Sequence, residues 1–201
     1  MGTIDFWYDF ASPYSYLAAI RIDALAEDAG LTVQWRPFFM GGLAKELGTR
    51  QPDVKVRYMQ RDMERLCSEY GLPYRAPDPF PQNSLLVSRV AMTAQVSPQR
   101  AVFSREVFDH EFARGRSISE KGEIAHLLTE IGLEPESVLA DAATDAVKQR
   151  LRDETAEALR IGLFGAPSFV LADGEVFWGH DRLDRAIAWA RRSRWHAQPQ
   201  A

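Results

Sequence analysis

The chain holds a single cysteine, Cys67, in 201 residues. One thiol excludes an intramolecular disulfide and any Cys-rich metal site, and it suits a reducing compartment. The histidines, His110, His126, His180 and His196, fall outside H-x-x-x-H and H-E-x-x-H spacing, so metal catalysis has no support. No stretch approaches the roughly 20 apolar residues of a membrane span. No basic segment followed by an apolar run opens the chain, so a cytoplasmic protein without a membrane partner is expected. Positive charge is not in excess either: 24 Lys and Arg against 28 Asp and Glu give a net charge of -4. The basic face of a nucleic-acid binder is therefore missing. Internal repeats, low-complexity segments and a G-x-S-x-G nucleophile elbow are absent as well.

What is present is globular. With 46% hydrophobic and 26% charged residues, the chain can bury a substantial core as one domain, or one domain with an insertion. Small-molecule or protein partners are expected.

Residues 4 to 10, Ile-Asp-Phe-Trp-Tyr-Asp-Phe, read as a buried strand. A helix is predicted from about Tyr14 to Ala29, with Gly30 as its C-cap. Leu31 to Arg36 alternates as a second strand that ends at Pro37, which completes a β-α-β unit with parallel strands. From Lys55 to Tyr70, and again from Ser84 to Phe112, apolar residues recur at helical spacing, with breaks at Gly71-Leu72-Pro73 and in the Pro77-Asp78-Pro79-Phe80-Pro81 run. Further helices fit Lys121 to Ile131, Pro135 to Ala142 and Asp145 to Leu163. Ser168 to Ala172 and Glu175 to Trp178 then read as a hairpin turning at Asp173-Gly174, followed by a helix from about Leu183 to Arg194. The order β-α-β, helical block, β-β-α is that of a thioredoxin-like α/β fold. Residues 1–40 and 164–201 would form the thioredoxin-like domain, and 41–163 a helical insertion.

The chemistry centres on Ser12-Pro13-Tyr14-Ser15, where the first strand turns into the first helix. A helix N-terminus offers free N–H groups and partial positive charge, so an anion beside Ser12 is stabilised there. Thioredoxin-like redox folds place C-x-x-C at this point. With serine at both positions the turn can hold a sulfur supplied from outside but cannot exchange disulfides. Ser12 is equally suited to be a plain N-cap ahead of Pro13, and the two roles are compatible. A Ser12 nucleophile would need a base within hydrogen-bond reach, and no neighbour in sequence supplies one.

The segments D-F-x-S-P-Y-S-Y-L-A, Trp35-Arg36-Pro37, P-F-P-Q-N-S from Pro79 to Ser84, F-G-A-P-S-F and G-H-D-R-L resemble the 2-hydroxychromene-2-carboxylate isomerases. These are grouped with kappa-class glutathione transferases and are related to the disulfide oxidoreductase DsbA. The resemblance spans nearly the whole chain in the same motif order. It implies that Ser12 activates glutathione by donating a hydrogen bond to its thiolate, an assignment the physics supports. It implies a cis turn at Ala166-Pro167 that offers backbone groups to the cysteinyl part of glutathione, as an added strand would pair. Asp181 and the residue before it, His180, match the positions that bind the γ-glutamyl end. On its own, Asp181 reads equally well as an N-cap beside a solvated Arg182.

Lys55 matches a lysine near the glycyl carboxylate, although a lysine at a helix start is commonly just solvated. Thr49 stands where relatives carry an amide side chain. For an aromatic carboxylate as second substrate, a flat apolar wall and a cation are needed. Phe38, Phe39 and Met40 are candidates for the wall, and Arg36 and Arg89 for the cation. The proline-rich run before Asn83 reads as a lid or wall loop.

The expected function is glutathione-dependent isomerisation of 2-hydroxychromene-2-carboxylate or a related aromatic-degradation intermediate. Glutathione would be the catalytic cofactor, no metal would take part, and a homodimer fits the resemblance. The alternatives are a kappa-like transferase or peroxidase at the same site, or a non-catalytic thioredoxin-like binding module. A DsbA-like oxidoreductase is excluded, since Cys67 has no partner and reads as a small buried apolar residue.

Overall fold

The computed structural model describes residues 2–48 and 52–196. Strand β1 (Gly2–Tyr8), helix α1 (Pro13–Asp28) and strand β2 (Leu31–Pro37) form the β-α-β unit. The strands are parallel, with Ile4 beside Val33 and Phe6 beside Trp35. Helix α1 begins at Pro13, whose fixed φ and missing N–H suit a first helical position, and Ser12 caps it. Ala29 is the C-cap, and Gly30, the expected cap, lies one residue further with φ +64°. β1 starts two residues earlier than expected and ends two residues earlier, where the Asp9 side chain turns back onto backbone N–H groups of Ala11 and Met40, curling the chain out of the sheet.

Strand β3 (Ser168–Leu171) pairs antiparallel with β1, and β4 (Val176–Trp178) antiparallel with β3, which gives the order β2-β1-β3-β4. Between β2 and β3 run α2 (Met40–Glu46), α3 (Asp53–Tyr70), α4 (Leu85–Val90), α5 (Arg100–Phe108), α6 (Lys121–Glu130), α7 (Pro135–Ala142) and α8 (Asp145–Arg160). Helix α9 (Leu183–His196) closes the order, after a 3-10 turn over His180–Arg182.

Two features differ from the periodicity. Helix α2 has two glycines and no side-chain cap of its own, so nothing local announced it. The stretch 84–112 is also not one helix. Thr93 donates its hydroxyl to Val90 C=O, competing with the helical ladder. Pro98 then opens a 3-10 turn, and the chain widens into a π-helical turn over Asp109–Ala113.

Alternation along β1 fixes the core. Ile4, Phe6 and Tyr8 point to one face, where Phe6 meets Tyr8, Trp35 and Phe169 at ring-centroid distances of 5.0, 4.9 and 5.7 Å. Helix α5 packs on this same face, with Phe108 against Tyr8 and Phe10, and Phe103 against Phe10. On the opposite face Trp7 is buried with Phe38, Leu43, Ala158 and Leu163. No helix among the described residues is long and apolar enough to cross a membrane.

Candidate active site

Antiparallel pairing of Trp7 with Ser168 brings the chain leaving β1 beside the chain entering β3. Ser12 and the Ala166-Pro167 turn therefore meet at one end of the sheet, and the Ala166-Pro167 peptide is cis. Ser12 Oγ donates to Ala166 C=O at 3.0 Å and accepts from Ser15 N–H at 3.3 Å. Capping and exposure to a ligand thus coexist, since the hydroxyl is only half-buried while Ser15 is fully buried. Pro167 C=O accepts Gly179 N–H at 2.9 Å, which straps the end of β4 to the same turn.

Tyr14 links this turn to two further elements. Its ring stacks on His180 at 5.5 Å with a 6° interplanar angle, and Tyr70 meets the imidazole edge-on at 6.3 Å. Its hydroxyl donates to Asp62 on α3 at 2.9 Å. Burial pushes the His180 pKa down, keeping the imidazole neutral. Its side chain is packed in this stack with Tyr14 and Tyr70. Asp181 beside it is exposed and, among the described residues, accepts from Arg182 at 2.7 Å. Such an exposed pair is weak, so the carboxylate stays available to an ammonium group.

Lys55 is exposed in the first turn of α3. It shares a helix face with Tyr58 and Asp62 by three- and seven-residue spacing, the face that Tyr14 engages. Thr49 lies outside the described residues. Arg36 does not stand free for a substrate carboxylate. Its guanidinium pairs with Glu154, through both Nε and Nη2, lies 3.6 Å from Asp5 and stacks 4.5 Å over Trp7. Two carboxylates already neutralise it on the α8 face of the sheet. The apolar wall is altered as well. Phe38 is fully buried against Trp7. Phe39 is half-buried, packs toward Met92, Val147 and Leu151, and donates its N–H to Thr155 Oγ1. Arg89 on α4 is half-buried and has no ion pair among the described residues, so it remains a candidate cation.

Several site features were not read from sequence. Phe164 and Trp178, both about half exposed, face each other at 4.8 Å beside the Ala166-Pro167 turn. The space at Gly165 is filled by the Trp178 indole, 2.3 Å from where a Cβ would stand. An aromatic on each side of G-A-P was the available signal. Asp9 and Glu111, both buried, lie behind the turn. Burial, and secondarily the nearby Asp9 carboxylate, push the Glu111 pKa well above 4.5.

The folded chain then holds a proton at Glu111 that the unfolded chain releases above about pH 4.5. This group's stabilising contribution is complete below that pH and is lost as pH rises toward the folded pKa. Glu111→Gln is accordingly expected to raise the unfolding midpoint at neutral pH, with the gain vanishing near pH 4. A midpoint lowered at neutral pH would contradict a protonated Glu111. Cys67, buried on α3, has its thiol pKa pushed up to about 11 by burial. It is expected to resist a thiol reagent in the native protein at pH 7 and to react fully once unfolded. Rapid native labelling would contradict that burial.

Glutathione needs a donor for its sulfur, backbone beside its cysteinyl unit and opposite charges for its two ends. Ser12, the Ala166-Pro167 turn, Asp181 and Lys55 are the residues that match these needs. Among the described residues no cluster of His, Cys, Asp and Glu suits a metal ion.

Comparison with known proteins adds four findings. A family model described as a DSBA-like thioredoxin domain matches residues 3–187. The chain is 28% identical over 187 residues to a 2-hydroxychromene-2-carboxylate isomerase of Sphingobium xenophagum, covering 90% of this chain and 94% of the relative. It is also 28% identical over 204 residues to a glutathione S-transferase kappa 2 of Caenorhabditis elegans, covering 90% and 88%. A solved structure of 2-hydroxychromene-2-carboxylate isomerase superposes with a TM-score of 0.86 at 27% identity, covering 99% of this chain and 100% of that one.

Proposed function

The chain belongs to the DSBA-like thioredoxin domain family, and on that premise we propose that it is a glutathione-dependent isomerase of 2-hydroxychromene-2-carboxylate or a closely related aromatic carboxylate. The observation that carries this reading is the Ser12 hydroxyl at the start of α1, 3.0 Å from Ala166 C=O, where a redox member would hold a cysteine. The names of the isomerase relatives support the reaction class.

When bound, glutathione would supply a nucleophilic thiolate for reversible addition to the conjugated substrate, the chemistry that lets a double bond rotate. Ser12 turns its hydroxyl from Ala166 C=O to the sulfur, and the start of α1 adds its partial positive charge. Asp181 and Lys55 hold the two ends of the tripeptide. Arg89 is the candidate partner for the substrate carboxylate, and the Phe164–Trp178 pair, its rings tilted 59° to each other, offers apolar ring surface beside the Ala166-Pro167 turn. Fixed hydrogen-bond donors of this kind favour negative charge that develops during ring opening.

The test is the absorbance change of chromene ring opening by purified protein, with and without glutathione. Turnover that requires glutathione and does not consume it is expected. No turnover, or turnover indifferent to glutathione, would contradict the reading. The equal identity to a kappa transferase favours a second reading, conjugation of glutathione to an electrophile at the same serine. Accumulation of a stable conjugate with a model electrophile would select it.

A further inference from the structure

We propose that Asp9 is the positioning residue of this site: its buried carboxylate locks the Asp9–Ser12 turn to the starts of α2 and α4, and so aims the Ser12 hydroxyl. The inference rests on the reading of Ser12 as the donor to the glutathione sulfur. Asp9 is 1% exposed, yet it touches its own turn and two segments distant in sequence. One carboxylate oxygen accepts Ala11 N–H at 2.8 Å, and the other accepts Met40 N–H, the first residue of α2, at 2.5 Å. Ser84, which precedes α4 and caps nothing there, is close enough to the same carboxylate for its hydroxyl to pull the Asp9 pKa down. The Asp9 peptide C=O accepts Ser12 N–H at 3.0 Å. Side chain and main chain of one residue thus fix the two residues that lead into α1.

The chemistry requires a carboxylate. Backbone N–H groups only donate, and Asp9 presents an acceptor oxygen to each of two. Asparagine would set its NH2 against one of them, leaving a buried donor unpaired, and either the turn or the start of α2 would have to shift. Burial pushes the Asp9 carboxyl upward, and the bonds from Met40, Ser84 and Ala11 pull it back. Neighbouring Glu111 receives no donor among the described residues, and burial, with the Asp9 carboxylate beside it, raises its pKa well above 4.5.

The test is a double-mutant cycle between Asp9→Asn and Ser12→Ala, read in kcat and in glutathione affinity by calorimetry. A displacement of Ser12 by even about 1 Å is enough to lower kcat by about a hundredfold. Asp9→Asn is expected to lower kcat by at least about tenfold while the glutathione Kd changes by less than about threefold, within that bound. Added to Ser12→Ala it should cost little more, because its effect passes through the same hydroxyl. Glu111→Gln, neutral for neutral, should leave kcat within about twofold, the range of a substitution without a charge change. Losses that multiply in the double variant would overturn the proposal, as would a folded Asp9→Asn protein with the parent kcat. Should Asp9→Asn fail to fold, Ser84→Ala removes one donor and keeps the carboxylate. A smaller kcat loss that disappears on the Ser12→Ala background is then expected, and an unchanged kcat would overturn the proposal. Failure of the parent protein to bind glutathione would remove the functional reading itself, an outcome distinct from binding with multiplicative losses.

Discussion

Replacing Ser12 with alanine is expected to lower glutathione-dependent kcat by roughly tenfold to a hundredfold, the loss of one hydrogen bond to a charged group at about 1.5–3 kcal/mol. The lower half of that range is favoured, because the parent hydroxyl must first give up its 3.0 Å bond to Ala166 C=O. Glutathione affinity should change less, since the Ala166-Pro167 turn, Asp181 and Lys55 are untouched. The acid limb of the pH profile should move to higher pH, because a thiol without its donor ionises later. Full kcat with an unmoved pH profile in the variant would contradict the assignment of Ser12.

The second large effect is on stability. Phe6 is fully buried at the centre of the sheet and touches the rings of Tyr8, Trp35 and Phe169. Phe6→Ala removes those contacts and leaves a cavity that strands paired on both sides cannot close, so a loss of about 3–5 kcal/mol is expected. In a domain of this size each kcal/mol moves the melting midpoint by about 2–4 °C, which gives a drop of roughly 6–20 °C. Thermal unfolding followed by circular dichroism measures it. A drop of only a degree or two would contradict the central place of β1.

Local grammar made much of this architecture legible. Proline after a capping serine marked the start of α1, and Asp173-Gly174 marked the hairpin. The Ser12 and Ala166-Pro167 turns are recognisable because each carries its own punctuation, although only the pairing of Trp7 with Ser168 brings them together. What periodicity did not carry was partnership across the chain. Arg36 looked free because Glu154, its partner, lies 118 residues away. Phe38 likewise looked available until Trp7 covered it. Helix α2 went unseen because its first N–H is satisfied by Asp9, on another segment. Asp9 itself stood in the quoted motif without a role, since the role exists only once Met40 and Ser84 arrive.

In the proposed reading, Ser12 keeps a borrowed glutathione thiol ionised at the place where redox members of the fold hold a cysteine. The most direct measurement is the thiolate absorbance of protein-bound glutathione titrated against pH, in the parent protein and in Ser12→Ala. An apparent thiol pKa below 7 in the parent, displaced upward in the variant, is the expected result. A bound thiol that titrates near the free-thiol value of about 8.5 in both proteins would contradict the claim.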